Sequence, residues 1–189
     1  MVGKVSEKSN TKQHKRRSRE EKMEFHVTTE YRKEAFTAMS RVLRKTIRKK
    51  HSRRTHIFGA AVILLAMFLA IFGNGKGAAV TWAAAVLILL VLLFEDRLNG
   101  YVARKRILKG TERSDTTFFP ENYVSRTAIG VTEFSYAAIA ILAETERYFV
   151  FVFDNSHGQA YDKKTLSGGS PEEFRAFLME KTGKEIQRV

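Results

Sequence analysis

Residues 57–73, IFGAAVILLAMFLAIFG, and residues 78–94, AAVTWAAAVLILLVLLF, decide how the rest of this chain is read. Neither run contains an ionisable side chain. As a helix each rises about 25 Å at ~1.5 Å per residue, slightly short of a ~30 Å hydrocarbon core. Thr55, His56, Asn74 and Gly75 can extend the first run into the interfaces. One such run alone would suit the buried helix of a soluble protein. Two in tandem, in a chain of 189 residues with little else to bury them, read as membrane spans. The connector Asn74-Gly75-Lys76-Gly77 is too short to cross back, so the spans must run antiparallel as a hairpin.

Orientation follows from the Lys/Arg residues close to the spans. Arg48, Lys49, Lys50, Arg53 and Arg54 precede the first, and Arg97, Arg104, Lys105 and Arg106 follow the second. Only Lys76 lies between them. The expected location is therefore the cell membrane, with two spans, both termini cytoplasmic and only residues near 74–77 outside. Gly59, Ala66, Ala70 and Gly73 form a small-residue stripe on the first span, and Ala78, Ala79, Ala83, Ala84 and Ala85 make the start of the second small. Small residues allow close helix approach in lipid, which suits packing within the hairpin or an oligomer contact. Trp82 is an expected interfacial anchor. The lack of charge within the spans argues against a proton relay or ion pathway.

The rest of the chain divides around this hairpin. Residues 1–22 form a basic tail with Lys15-Arg16-Arg17 at its centre and no apolar periodicity, so disorder is expected. Before Ile57 there are 18 Lys/Arg against six Glu, whereas from Glu95 onward the two signs balance at 14 each. The net charge of +13 therefore belongs to the N-terminal arm. Lys15, Arg16, Arg17, Arg48, Lys49, Lys50, Arg53 and Arg54 are the candidate contacts for anionic lipid head groups, at about 1 kcal/mol per basic residue near the surface. A solvated tail with only a topological role is the plainer alternative. Nucleic acid is not an expected partner for a chain anchored at a membrane. The absence of cysteine excludes disulfides, thiolate nucleophiles and Cys-type zinc sites. No apolar run lies near the start where a signal peptide would carry one.

Residues 23–56 open with EFHVT, residues 24–28, whose alternation predicts a short strand. Thr29 is a candidate helix N-cap. Tyr31, Ala35, Phe36, Met39, Val42, Leu43 and Ile47 then recur at helical spacing, interleaved with basic residues. Such a helix can lie on a membrane or pack on a partner domain, and no Pro or Gly separates it from the first span. A five-residue strand cannot stand alone in water. The hairpin returns the chain to the same side, so residues 24–28 are expected to pair with an edge strand of the C-terminal part. The Tyr31/Phe36 face should pack on the same domain, giving one unit of residues 24–50 plus 105–185.

Residues 96–189 start with a helix to about Lys109, weakly broken at Gly100. β-Prone runs follow at Thr116–Phe119 and Tyr123–Thr127. Arg147–Phe153 is the strongest strand, and it turns through Asp154-Asn155-Ser156-His157-Gly158 into Gln159–Tyr161 as a hairpin. Ser170-Pro171-Glu172-Glu173 carries a capping-box helix start. Phe174, Phe177 and Leu178 share the apolar face of that helix, and Gly183 suits its C-terminus. The expected fold class is an α+β membrane protein: a transmembrane hairpin of residues 57–95, a small antiparallel β domain and a C-terminal amphipathic helix.

The two spans, the stretch FSYAAIAILAETERYFVFVFDNSHGQAYDKKTL and the closing SPEEFRAFL helix resemble the YcxB-like proteins of bacteria. The residues that carry the likeness are Phe134, Tyr136, Ile139, Glu144, Tyr148–Phe153, Tyr161, Phe174 and Phe177. It covers roughly residues 24–180. The resemblance implies a C-terminal domain similar to bacterial pleckstrin-homology-like sheets. It transfers no activity and no functional residue, and the basic extension before Met23 departs from it.

No reactive constellation is visible. His157 lies in a turn without a second histidine nearby, so no metal or cofactor is expected. Glu144, Glu146 and Asp154 flank what reads as an exposed hairpin and lack an evident organiser for acid–base work. Gly168-Gly169 is a linker rather than a phosphate loop, and Ser125, Ser135 and Ser167 lack nucleophile context. The expectation is a non-enzymatic, membrane-anchored interaction module with the lipid bilayer, and a membrane protein, as partners. Alternatives are a small subunit of a membrane transport or envelope assembly, or an enzyme whose site one sequence does not reveal.

Overall fold

The computed structural model describes residues 24–72 and 76–189. The basic tail, with Lys15, Arg16 and Arg17, and residues 73–75 of the connector lie outside the described residues. The elements are β1 (Phe25–Glu30), α1 (Lys33–Lys45), α2 (Lys49–Phe72), α3 (Lys76–Leu93), α4 (Glu95–Lys105), β2 (Arg113–Phe118), β3 (Asn122–Thr127), β4 (Gly130–Ser135), β5 (Ile141–Glu144), β6 (Tyr148–Val152), β7 (Gly158–Asp162), α5 (Pro171–Thr182) and β8 (Ile186–Arg188). The fold is α+β, with two four-stranded sheets ordered β1-β2-β3-β4 and β7-β6-β5-β8.

The N-terminal strand joins the C-terminal domain. β1 pairs antiparallel with β2 in the register Phe25↔Phe118, Val27↔Thr116 and Thr29↔Ser114. A bridge between His26 and Ser167 and a hydrogen bond from Thr165 Oγ1 to the Thr28 carbonyl (2.6 Å) tie its other edge to the segment after β7. The expected edge pairing of residues 24–28 is therefore present, and the strand runs two residues longer. Thr29 is not a helix cap: its buried hydroxyl accepts from the Asp162 amide at 3.2 Å, and the N-cap position falls to Arg32.

Alternation along the strands builds two cores. Phe149, Phe151, Leu142 and Tyr161 face inward with Phe25, Val27, Phe118 and Tyr123 of the other sheet. α5 plugs this space: Phe174 lies 5.0 Å from Phe25, 4.8 Å from Phe118 and 5.2 Å from Phe149 between ring centroids. Tyr148, Val150, Val152, Ala143 and Ala160 point the opposite way and meet Ala35, Ala38, Met39, Val42 and Leu43 of α1. β6 is thus buried on both faces, which is why residues 148–152 read as a continuous apolar run rather than an alternating one. The apolar face of α1 packs on the sheet, with Tyr31 and Phe36 half-buried at its margin. It is not a surface for lipid.

Capping chemistry sets α5. Ser170 Oγ accepts from the Glu173 amide, the Glu173 carboxylate accepts from the Ser170 amide at 2.8 Å, Pro171 occupies N1, and Gly183 closes the helix at φ 64°. Two expectations about the sheets need correction. There are two sheets rather than one small one, and β8 pairs parallel with β5 (Leu142↔Ile186), so the second is mixed.

α1 does not continue into the apolar helix. Thr46 leaves helical geometry at ψ −90°, its hydroxyl returns to the Val42 carbonyl at 2.7 Å, and α2 restarts at Lys49. α2 and α3 pack antiparallel, with Gly59 against Leu92 and His56 against Glu95. Among the described residues, α2 is the one helix that alone is long and apolar enough to cross a membrane, and only 6% of its apolar window is buried. α3 reaches that mark only together with α4, from which it is bent by 71°. α4 runs through Gly100 without the expected break, because Gly100 is buried against α1.

A basic cleft at the foot of the apolar helices

Of the predicted lipid-contact residues, Arg48, Lys49, Lys50, Arg53 and Arg54 fall on the first turns of α2 and just before it. Helical periodicity divides them. Lys49, Ser52, Arg53 and His56 share one face and line an open cleft of about 500 Å³. Arg44 and Lys45 at the end of α1, and Gln187, Arg188 and Val189 on β8, complete it. Arg48 does not line it; its Nε donates to the Asn155 carbonyl at 2.8 Å. Lys50 and Arg54 are exposed on the other sides of the helix and do not line it either.

Three features position the cleft. The break at Thr46–Arg48 swings α2 away from α1, so cations from two helices converge. β8 brings Arg188 to the site, held by its pairing with β5 and by the Val189 amide donating to the Glu144 carbonyl at 2.9 Å. A bidentate ion pair clamps α1 to α4: Arg44 Nε and Nη2 donate to Asp96 at 2.6 and 2.7 Å. That hydrogen bonding raises the Arg44 pKa above its ordinary value, so the guanidinium is permanently charged. His56 Nδ1 lies 2.8 Å from the Ser52 carbonyl, which makes it the protonated nitrogen and turns Nε2 toward Glu95 at 3.8 Å.

The charged side chains that line the cleft are all basic. Arg44 has Asp96 and Glu95 as partners, but Lys45, Lys49, Arg53 and Arg188 have no ion-pair partner among the described residues. Lys49 also sits in the first turn of α2, which carries no acidic residue although that end of a helix favours negative charge. Four cations without an ion-pair partner around one depression raise the local positive potential and favour an anion there. Sequence periodicity at 49, 53 and 56 could have singled out this face; Arg188 carries no local signal.

A second charged cluster has a different role. Glu144, expected at an exposed hairpin, is buried. Arg175 donates to both of its carboxylate oxygens at 2.8 Å, and Lys163 Nζ donates to Oε1 at 2.6 Å and to the Thr145 carbonyl at 2.6 Å. These bonds, Arg175 first, hold its carboxyl down to about 2. A carboxylate so firmly ionised and fully engaged ties β5 to α5; it is not poised to accept a proton. Asp154 is exposed and caps its own turn, accepting from the Ser156 and His157 amides at 2.6 and 2.8 Å. Among the described residues no group of three or more potential metal ligands comes together.

No family model, no curated protein and no solved structure matches this chain.

Proposed function

We propose that the chain is a membrane-anchored, non-enzymatic interaction module. α2 and α3 span the bilayer as a hairpin, and the α+β domain stands at the cytoplasmic face with its basic cleft toward anionic head groups. One observation carries this reading. Ile57, Phe58, Leu64, Ile71, Phe72, Val80 and Leu87 are each more than half exposed on two adjoining helices, with none of the described residues covering them. So large an uncovered apolar surface is not stable in water, and lipid is the medium that such helices fit.

The location of the cations supports the orientation. They gather at the end of the pair where α2 begins and α3 finishes, beside the cleft, as cytoplasmic flanks do. The pleckstrin-homology-like part of the reading rests on the order of elements: four strands, then three, then a helix that plugs the space between the sheets. The YcxB-like resemblance points the same way and adds no activity. The cleft would recognise the phosphate of an anionic lipid.

Reporter fusions at Met1 and Val189, with a labelled cysteine at position 75 in the otherwise cysteine-free chain, test the anchor. Cytoplasmic activity at both ends and outside labelling at 75 are expected. Release of the protein by alkaline carbonate, or outside activity from either terminus, would overturn it.

A further inference from the structure

α4 begins one residue after α3 and is bent from it by 71°. One side of α4 packs on α1 through Asp96 and Gly100. At ~100° per residue the opposite side of the helix carries Phe94, Leu98, Tyr101 and Val102. These are 42%, 45%, 48% and 45% exposed. Arg97 and Arg104 border this stripe on one flank and Arg106 on the other. Lys105, in its middle, folds its ammonium over the Tyr101 ring at 4.8 Å, and Arg97 lies 5.5 Å from the Phe94 ring. The stripe therefore joins apolar stems and rings to cations at its edges; the one carboxylate on its border, Glu95 between Val102 and Arg106, is turned to Arg44 and His56. That is the make-up of a helix lying in a membrane interface.

The depth of α4 agrees. The contacts Gly59–Leu92 and His56–Glu95 fix how the ends of α2 and α3 align. α2 continues down from His56 to Lys49, which at ~1.5 Å per residue is about 10 Å. This matches the ~8–10 Å between packed helices. α1, joined to the lower end of α2, thus lies one helix layer farther from the apolar pair than α4. The uncovered face of α4, opposite α1, looks back toward the side where the apolar pair lies.

We propose that α4 lies in the plane of the bilayer surface. Phe94, Leu98, Tyr101 and Val102 sink to the level of the acyl boundary, while Arg97, Arg104, Lys105 and Arg106 reach lipid phosphates. The domain is then held at a fixed attitude instead of swinging from a tether. This rests on the reading of α2 and α3 as spans; continuity with that apolar pair and the basic borders select lipid as the occupant over a protein.

The chain contains no cysteine, so each introduced thiol is unique. Leu98→Cys, Tyr101→Cys and Val102→Cys, with Leu87→Cys and Glu180→Cys as references, are spin-labelled in the full chain. Each is placed in vesicles of phosphatidylethanolamine and phosphatidylglycerol. Collision with oxygen is compared with collision with a water-soluble nickel chelate. The expected oxygen-to-nickel ratio at 98, 101 and 102 is several-fold above that at 180 and below that at 87. Nickel access at 98, 101 and 102 equal to that at 180, with 87 still deep, overturns the in-plane helix and leaves the spans standing. Low collision with both reagents at those three sites shows a protein contact and also overturns it. Nickel access at 87 overturns the spans and this inference together.

Discussion

Gly100 of α4 sits so close to Thr37 of α1 that a β-carbon at position 100 would come 2.8 Å from the Thr37 backbone nitrogen. The neighbour is main chain, so it cannot rotate aside. Gly100→Ala should therefore separate the helices and destabilise their contact by about 1–3 kcal/mol, the usual range for overpacking. Faster proteolysis between residues 94 and 110, with the β strands still protected, is the expected readout.

Ser170→Ala removes one side-chain cap and should lower the stability of the domain by about 1 kcal/mol. Phe174→Ala empties a site shared by Phe25, Phe118 and Phe149 and should cost roughly 3–5 kcal/mol. Thermal unfolding of the two variants should rank them in that order. Equal shifts would mean that α5 does not plug the core.

Glu144→Gln leaves Lys163 and Arg175 without their carboxylate. The expected loss is about 3 kcal/mol near neutral pH, the lower end of the range for breaking a buried pair, since both cations keep some access to water. The sign with pH is fixed by the direction of the shift. The folded carboxyl titrates at about 2, below its unfolded value of ~4.3, so its contribution is complete above that unfolded value. It fades as pH falls toward 2. The gap in melting temperature between parent and variant should narrow through this window; a gap that widens on acidification contradicts the assignment.

In the cleft, Lys49→Gln, Arg53→Gln and Arg188→Gln together should weaken binding of a short-chain phosphatidylglycerol by about 2–3 kcal/mol, at ~1 kcal/mol per cation. Lys50→Gln with Arg54→Gln, which removes charges that do not line the cleft, should change it little. Titration of the detergent-solubilised chain, followed by amide chemical shifts, measures both. Equal losses would point to general charge and not to a site.

Local chemistry is what the sequence made legible. The capping box at Ser170–Glu173, the turn after Phe153 and the Phe174/Phe177/Leu178 face all depend on residues within a few positions of one another, and all stand in the structure. The pairing of residues 24–28 was also reachable, because a lone strand must find an edge. Its end was not: whether Thr29 caps a helix or extends a strand is decided by the Asp162 amide. Glu144 looked exposed because Arg175 and Lys163 lie in later elements. β8 is three residues long, and its partner is some forty positions away. The cleft was half-visible, since its helical face repeats at 49, 53 and 56 while Arg188 arrives only through β8.

The pairing of Phe25–Glu30 with Arg113–Phe118 has a consequence for synthesis. The first strand leaves the ribosome roughly eighty residues before its partner exists. At about 5–20 residues per second, it waits some 4–16 s. During that interval both apolar helices emerge, so the sheet cannot close until they have been made. Completion of the domain thereby registers that the apolar hairpin between its two halves has been synthesised in full.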